Sequence, residues 1–432
     1  MVETTAKRSW WWTRACSLAE AVGNRRPRKF LLSATGALFV IALVAGFAQF
    51  GAVASLDDVA RHFGHHTDKQ SLQSVVGLSG SVLGIGLAVL RLASLGALPL
   101  ASLADRWGRT KVLRRTLFVG LIITAGASLS PAYWFFVLCF ALARPLLSTT
   151  STLIQVITVE LSSTNRRIHR LVIMSAGAGM GAGTAAILHG TIRGPDSFRW
   201  LFALAIVPVF FVAPLLRRVP EPTFHSDDVP MARLGSVPRR MRERVLIVGV
   251  IVFVIGVIAG PASGFTFVYG EGVLKIKPDV VASVVALSAL TGLAGLLLSR
   301  YLSRRVGRRW TVVLGVMTTA ATASLAYGGG RTDFVVGYML GVASGGLLAP
   351  AIAALSTELF SHKFRATAAG WVVVAGVLGA ISGLLFFGLI GDSVHVTGAG
   401  SLRLPALVTF LPLLPLMLLL LRLPESSQME LT

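Results

Sequence analysis

Long apolar runs alternate with short polar clusters along nearly the whole chain. A helix needs roughly 18 to 20 residues to cross about 30 Å of hydrocarbon. Twelve apolar runs reach that length, and they centre near residues 43, 90, 123, 146, 180, 208, 256, 291, 318, 344, 378 and 411. The pattern predicts an all-α membrane protein with twelve transmembrane helices.

The composition agrees with a membrane location. Hydrophobic residues make up 54% of the 432 residues and charged residues only 14%, which is too apolar for a soluble domain of this length. The net charge of +21 is divided among short clusters between the apolar runs. A nucleic-acid-binding domain would gather its cations on one face, so the predicted surrounding is the lipid bilayer and no nucleic acid is expected.

The basic clusters also predict an orientation. They fall in the first 30 residues and in every second loop, and short loops rich in Lys and Arg stay on the cytoplasmic side. Both termini are therefore predicted to be cytoplasmic, in a multi-pass protein of the cell membrane. The first 30 residues are too charged for a cleaved signal peptide, and we interpret them as a basic cytoplasmic tail.

Three motifs occur twice, about 200 residues apart. Each copy falls in the same loop of its half: DRWGRT (Asp105) with RRVGRR (Arg304), ELSSTNRR (Glu160) with ELFSHKFR (Glu358), and Pro220-Glu221 with Pro424-Glu425. Such repeats are typical of carriers built from two related bundles. The predicted parts are a tail (1–30), a six-helix bundle (31–217), a cytoplasmic connector (218–244), a second six-helix bundle (245–422) and a cytoplasmic tail (423–432).

The stretch LADRWGR, from Leu103 to Arg109, resembles the loop signature of the major facilitator superfamily. The other two repeated motifs resemble its sugar-porter and organic-acid branches. The stretch from Arg365 to Gly383 is similar to metabolite:proton symporters. This resemblance implies two pseudo-symmetric six-helix bundles that move a small-molecule solute by alternating access, as a monomer without a cofactor.

The resemblance also implies a gate on the cytoplasmic side. A loop with Gly108 lets two helices reverse sharply, while Asp105 can pair with a nearby cation such as Arg109 or cap a helix of the other half. The alternative is that these cations only enforce topology. The gating candidates are Asp105, Arg106, Gly108 and Arg109, their second copy Arg304, Arg305, Gly307 and Arg308, and the pairs Glu160 with Arg167 and Glu358 with Arg365.

Two full charges lie deep inside the predicted spans, Arg91 in the second and Arg144 in the fourth. An intramembrane charge is costly and is usually functional, and a guanidinium can form bidentate hydrogen bonds with a carboxylate or phosphate. The pair therefore predicts an anion site. The alternative is structural, with the arginines bonded to backbone carbonyls or reaching towards the interface.

A polar stripe accompanies Arg144 along one helical face. Its spacing of three and four residues places these side chains together. The candidate substrate residues are Arg144, Arg91, Ser148, Ser151, Thr152, Gln155 and, in the first span, Gln49.

No acidic residue lies deep in any predicted span. If protons are used, Asp57, Asp58 and His189 are the candidates, although the sequence favours solvated helix ends for all three. Glu271 lies just past the seventh span.

The sequence favours a secondary carrier over an enzyme or a pump. It contains no catalytic constellation, no metal-ligand spacing and no phosphate-binding loop of the GxxxxGK[ST] type. The predicted solute is a small organic molecule, with a preference for an organic anion or metabolite, and proton coupling stays open. The alternatives are a multidrug or metabolite efflux carrier, which would need a wide aromatic cavity, and a membrane sensor that transports nothing.

Overall fold

A computed structural model describes residues 33–65, 71–162, 167–192, 194, 196–221, 239–358 and 362–422. Every regular element in this part of the chain is a helix. Among the described residues, twelve helices are long and apolar enough to cross a membrane. The prediction of an all-α protein with twelve transmembrane helices is confirmed.

We number the spanning helices α1 to α12 along the chain. Their bounds are α1 Ala34–Ala54, α2 Gly80–Trp107, α3 Arg109–Leu129, α4 Tyr133–Glu160, α5 Arg167–Thr191, α6 Ser197–Leu216, α7 Arg239–Gly264, α8 Pro278–Arg305, α9 Arg308–Gly328, α10 Arg331–Glu358, α11 His362–Ser393 and α12 Arg403–Leu420. Two short helices, Leu56–Phe63 and Leu72–Val76, connect α1 to α2, and one π-helical turn, Val268–Val273, connects α7 to α8.

The helices pair within each half and across the two halves. Within the halves, α1 packs on α5, α7 on α11, and α10 on both α8 and α9. Across the halves, α2 packs on α11 and α5 packs on α8. Two six-helix bundles therefore meet along two helix pairs.

Glycine allows the closest helix approaches within the halves. A methyl carbon added at Gly181 of α5 would overlap the backbone carbonyl of Leu43 in α1, and one added at Gly379 of α11 would overlap that of Phe253 in α7. Small residues at such positions let helix backbones touch in lipid, where apolar side chains alone give little association. Each half is thus held together partly by direct backbone contact.

The two ends of the bundle differ in their connections. We call the end that carries the α2–α3 loop the Asp105 face and the opposite end, where α1 finishes, the Asp57 face. At the Asp105 face, Gly108 and Gly307 adopt φ angles of 95° and 87°, a left-handed region that favours glycine. These two residues make the sharp reversals from α2 to α3 and from α8 to α9.

Candidate functional site

A cavity lies between the two halves, inside the spanning helices and nearer to the Asp57 face than to the Asp105 face. Helices α1, α2 and α4 of the first half and α7 and α11 of the second all contribute to its wall, and the enclosed cavity is small, about 30 Å³. The lining residues are Ala48, Gln49, Ala52, Val53, Leu87, Leu90, Arg91, Phe140, Arg144, Leu147, Gly260, Gly264 and Leu384. The wall is apolar apart from Gln49, Arg91 and Arg144.

The two arginines of this cavity are weakly bonded. Arg144 Nη1 donates to the backbone carbonyl of Gln49 at 3.4 Å, and Arg91 Nη2 donates to Ser263 Oγ in α7 at 3.4 Å. Both distances exceed the usual 2.7–3.2 Å of an N–H···O bond. Arg144 Nε is buried and has no hydrogen-bond partner among the described residues.

The charges of this cavity are unbalanced. Arg91 is close enough to Arg144 for their positive charges to repel, and none of the residues in the described lining is acidic. A buried cation without an anionic partner is costly in a medium of low dielectric constant. The arrangement therefore favours the entry of a negatively charged group.

The polar residues of the α4 stripe have different surroundings: some bond to neighbouring groups, and others are exposed on the helix surface. Ser151 Oγ accepts a hydrogen bond from Gln49 Nε2 at 2.8 Å, and this bond positions the Gln49 side chain beside the cavity. Thr152 donates to the backbone carbonyl of Ser148, and Gln155 is exposed. Of the predicted stripe, only Arg144 itself lines the cavity.

A cluster of ionisable residues joins the two halves at the Asp57 face. His189 of α5 contacts Asp58 (Nδ1 to Oδ2, 3.2 Å) and Glu271 of the second half (Nε2 to Oε2, 2.9 Å). Arg61 pairs with Asp57 at 2.8 Å and donates to the backbone carbonyl of Glu271. We call Asp57, Asp58, Arg61, His189 and Glu271 the acid–histidine cluster.

The expectation that Asp57, Asp58 and His189 are solvated helix ends was wrong. Asp57 is only 2% exposed, His189 3% and Glu271 5%. Asp58 is half-buried and accepts a hydrogen bond from Ser197 Oγ at 2.6 Å. They are covered because the helix Leu56–Phe63 folds against the π-helical turn Val268–Val273, a contact between distant segments.

The pKa values of the three acids are shifted in different directions, although burial acts to raise all of them. It raises the pKa of Asp57 to about 7, with help from the charges of Glu271 and Asp58 and against the pull of Arg61. Burial also raises the pKa of Glu271, although His189 opposes this. For Asp58, burial is outweighed by the hydrogen bonds and charge of His189 and by Ser197, so its pKa is lowered.

A second connection between the halves at this face uses a helix end. Asp392, at the end of α11, accepts hydrogen bonds from the backbone N–H groups of Gly80 (2.5 Å) and Ser81 (2.8 Å) at the start of α2. The carboxylate faces unsatisfied amides at the positive end of a helix dipole. Neither Asp392 nor Glu271 was among the candidates from sequence, because both partners lie in the other half.

The signature loop at the Asp105 face forms contacts with the first half and with the start of the connector. Arg109 pairs with Asp105 (Nη2 to Oδ1, 2.9 Å) and with Glu160 at the end of α4. Glu221 accepts from the backbone N–H of Thr110 at 3.1 Å, at the start of α3. The cross-half gate expected here stays a prediction.

The remaining gating candidates are spread along the Asp105 face. Arg106 is exposed, Arg304 and Arg305 end α8, and Arg305 stacks on the Tyr301 ring at 5.4 Å. Arg308 begins α9 after the turn at Gly307. The side chains of Arg167, Glu358 and Arg365 lie outside the part of the chain that the structure describes, as do the two predicted tails and most of the connector.

Two bundles around a central cavity, tightly joined at one face, define a membrane carrier. The sequence profile of the Major Facilitator Superfamily matches residues 38–277 and 271–431. The chain therefore belongs to the Major Facilitator Superfamily. Its neighbours are transporters rather than enzymes, and they do not single out the sugar-porter branch.

Three similar proteins illustrate the range of this family. The cis,cis-muconate transport protein of Acinetobacter baylyi is 22% identical over 328 residues, which cover 68% of this chain and 77% of that protein. A bacterial homologue of the human lysosomal transporter Spinster matches with a TM-score of 0.72 at 14% identity, over 94% and 100% of the two chains. The nucleoside transporter NupG matches with a TM-score of 0.68 at 12% identity, over 91% and 100%.

Proposed function

We propose that this protein carries a small organic anion across the cell membrane by alternating access, with Arg144 as its main anion-binding group. The observation that supports this most directly is the buried, unpartnered Nε of Arg144 beside a cavity between the halves. A guanidinium in that condition is a ready donor to a carboxylate. Arg91 adds a second positive charge to the same wall.

Two further facts favour an organic acid. The similar muconate transport protein of Acinetobacter baylyi carries an organic acid in its name. The described lining of the cavity has one aromatic residue, Phe140, whereas a multidrug efflux carrier was expected to have a wide aromatic cavity. An anion carrier also explains why two costly charges stand in the middle of the spans.

The test is transport by purified protein in energised proteoliposomes. We expect uptake of labelled carboxylates, with little flux of neutral sugars or cationic drugs. Protein-free liposomes are the control. Flux of sugars or cations in place of carboxylates would contradict the anion proposal, and absence of flux for every solute would favour a non-transporting sensor.

We also propose that the protein lies in the cell membrane with the Asp105 face in the cytoplasm, because the basic clusters gather in the loops of that face.

We further propose that transport responds to protons through the acid–histidine cluster. Three groups of the cluster are acids, two of them, Asp57 and Glu271, are buried between the halves, and Asp57 has a pKa of about 7. Opening this face would hydrate Asp57 and return its pKa towards the ordinary 3.8.

The sign of the pH dependence follows from this change. Between about pH 4 and 7 the closed face holds Asp57 protonated while the open face leaves it ionised, so closing takes up a proton. Glu271 acts in the same direction. Asp58, with its lowered pKa, stays ionised in both forms over this range. Acid should therefore favour the closed Asp57 face, and this preference should fade as the pH rises through 7.

We expect the ratio of closed to open molecules to rise about tenfold from pH 8 to pH 6 in wild type. Spin labels at Ala132→Cys and Ala399→Cys, two exposed loop positions of this face, one in each half, would measure it by pulsed distance spectroscopy. Cys16 and Cys139 would first be replaced by Ser. Asp57→Asn should flatten the pH dependence, whereas Asp279→Asn, an exposed acid of the same face, should leave it intact. A wild-type ratio that does not change with pH would rule out this role.

A further inference from the structure

The charge of the cavity wall bears on how many negative charges the bound anion carries. Two guanidinium groups face one space, and the described lining residues include no acid. Their mutual repulsion adds to the cost of burying each. The wall thus carries a positive charge of two that only its contents can balance.

The hydrogen-bond donors of these arginines are also mostly unused. Each guanidinium has five N–H donors, and the contacts found are one long bond from Arg91 to Ser263 and one from Arg144 to Gln49, both at 3.4 Å. Buried Arg144 Nε has no partner in the part of the chain that the structure describes. Bonds at this distance are easily exchanged for shorter charge-assisted ones of 2.7–2.9 Å.

An anion of one charge would leave half of this wall uncompensated. In a space of low dielectric constant an unpaired buried cation remains expensive, while an anion with two charges neutralises both guanidiniums. We propose that the carried solute is a divalent organic anion, with Arg91 and Arg144 sharing its two charges. This inference rests on the proposed function and names the charge class of its substrate.

The rest of the wall suits the carbon skeleton of such a solute. Leu87, Leu90, Phe140, Leu147 and Val53 surround the arginines and exclude water from a chain or ring lying between them. Dicarboxylates and phosphate monoesters share the divalent charge, but they present it differently. A dicarboxylate gives one carboxylate to each arginine, whereas a phosphate brings both arginines to one group.

One of the two arginines also forms a hydrogen bond between the two halves. Arg91 belongs to α2 of the first half and Ser263 to α7 of the second. When Arg91 turns to an anion, it gives up its bond to Ser263. An anion that binds both arginines therefore removes one hydrogen bond between the halves. An anion that binds Arg144 alone leaves that hydrogen bond in place.

The experiment compares the binding of each dicarboxylate with the binding of its monomethyl ester, which carries one negative charge. Straight dicarboxylates of four to eight carbons, their monomethyl esters, and alkyl phosphates would be titrated against purified protein, with the unfolding midpoint and competition for carboxylate uptake as readouts. In wild type, the best divalent ligand should bind at least tenfold more tightly than its monovalent copy. In Arg91→Gln this ratio should fall towards one while the monoester still binds, and Arg403→Gln, an exposed cation far from the cavity, should keep the wild-type ratio.

The outcomes separate this inference from the proposed function. Equal binding of diacids and their monoesters in wild type would overturn the divalent preference and leave the anion carrier standing. Binding of no anion of either kind would overturn both. Tight binding of alkyl phosphates in place of diacids would support the divalent class and show that the two arginines share one group.

Discussion

Arg144→Gln is expected to abolish carboxylate uptake by the reconstituted protein. Glutamine keeps a polar side chain but loses the charge and the forked donor geometry, and removing one partner of a buried charge-assisted contact costs about 2–5 kcal/mol. Uptake at low solute concentration should therefore fall by roughly a hundredfold or more. Initial rates in energised proteoliposomes would measure this effect.

Two companion variants show whether charge or geometry matters. Arg144→Lys keeps the charge without the planar fork, so we expect partial uptake with weaker apparent affinity. Arg403→Gln removes an exposed cation at the start of α12 and should transport like wild type. If Arg144→Gln folded normally and transported carboxylates at the wild-type rate, Arg144 would have only a structural role.

Gly181→Ala is expected to destabilise the first half of the protein severely. The added methyl carbon would overlap the backbone carbonyl oxygen and carbon of Leu43 and the backbone nitrogen of Phe47, and backbone atoms cannot rotate away. Forcing α1 and α5 apart should cost about 1–3 kcal/mol or more. Thermal unfolding in detergent, followed by tryptophan fluorescence, would measure the loss.

The matched control lies two residues earlier on the same helix. A methyl carbon at Gly179 meets none of the described atoms within 4 Å, and alanine is the better helix former by about 0.8–1.0 kcal/mol. We expect Gly179→Ala to unfold at or above the wild-type temperature. Equal losses in both variants would mean that glycine in α5 serves helix flexibility rather than contact with α1.

The fold was predictable from sequence because its signals are local. An apolar run long enough to span the membrane identifies a helix wherever it packs, and all twelve spans followed from that length alone. The spacing in α4 likewise indicated a polar face without knowledge of its neighbours. The sequence could not indicate that only Arg144 of that face lines the cavity, since α1 covers Ser151 through Gln49.

The burial of the acids at the Asp57 face could not be predicted from the local sequence. Asp57 and Asp58 follow a span and are charged, which normally indicates a solvated helix end. Their burial depends on Glu271 and the π-helical turn that carries it, more than 200 residues away. Asp392 capping α2 is equally invisible, because a carboxylate near the end of one helix carries no mark of the helix it will bind.

The contact between α2 and α11 has a consequence for the speed of the transport cycle. Methyl carbons added at Gly80 or Gly84 would strike backbone carbonyls of Gly388 or Leu384, so at these two positions the helices touch through main chain. At these positions no side chain has to change rotamer for the two backbones to separate. The rate at which the Asp57 face opens should therefore depend strongly on its polar bonds, from Asp392 and the acid–histidine cluster, and little on rotamer changes at these glycine contacts.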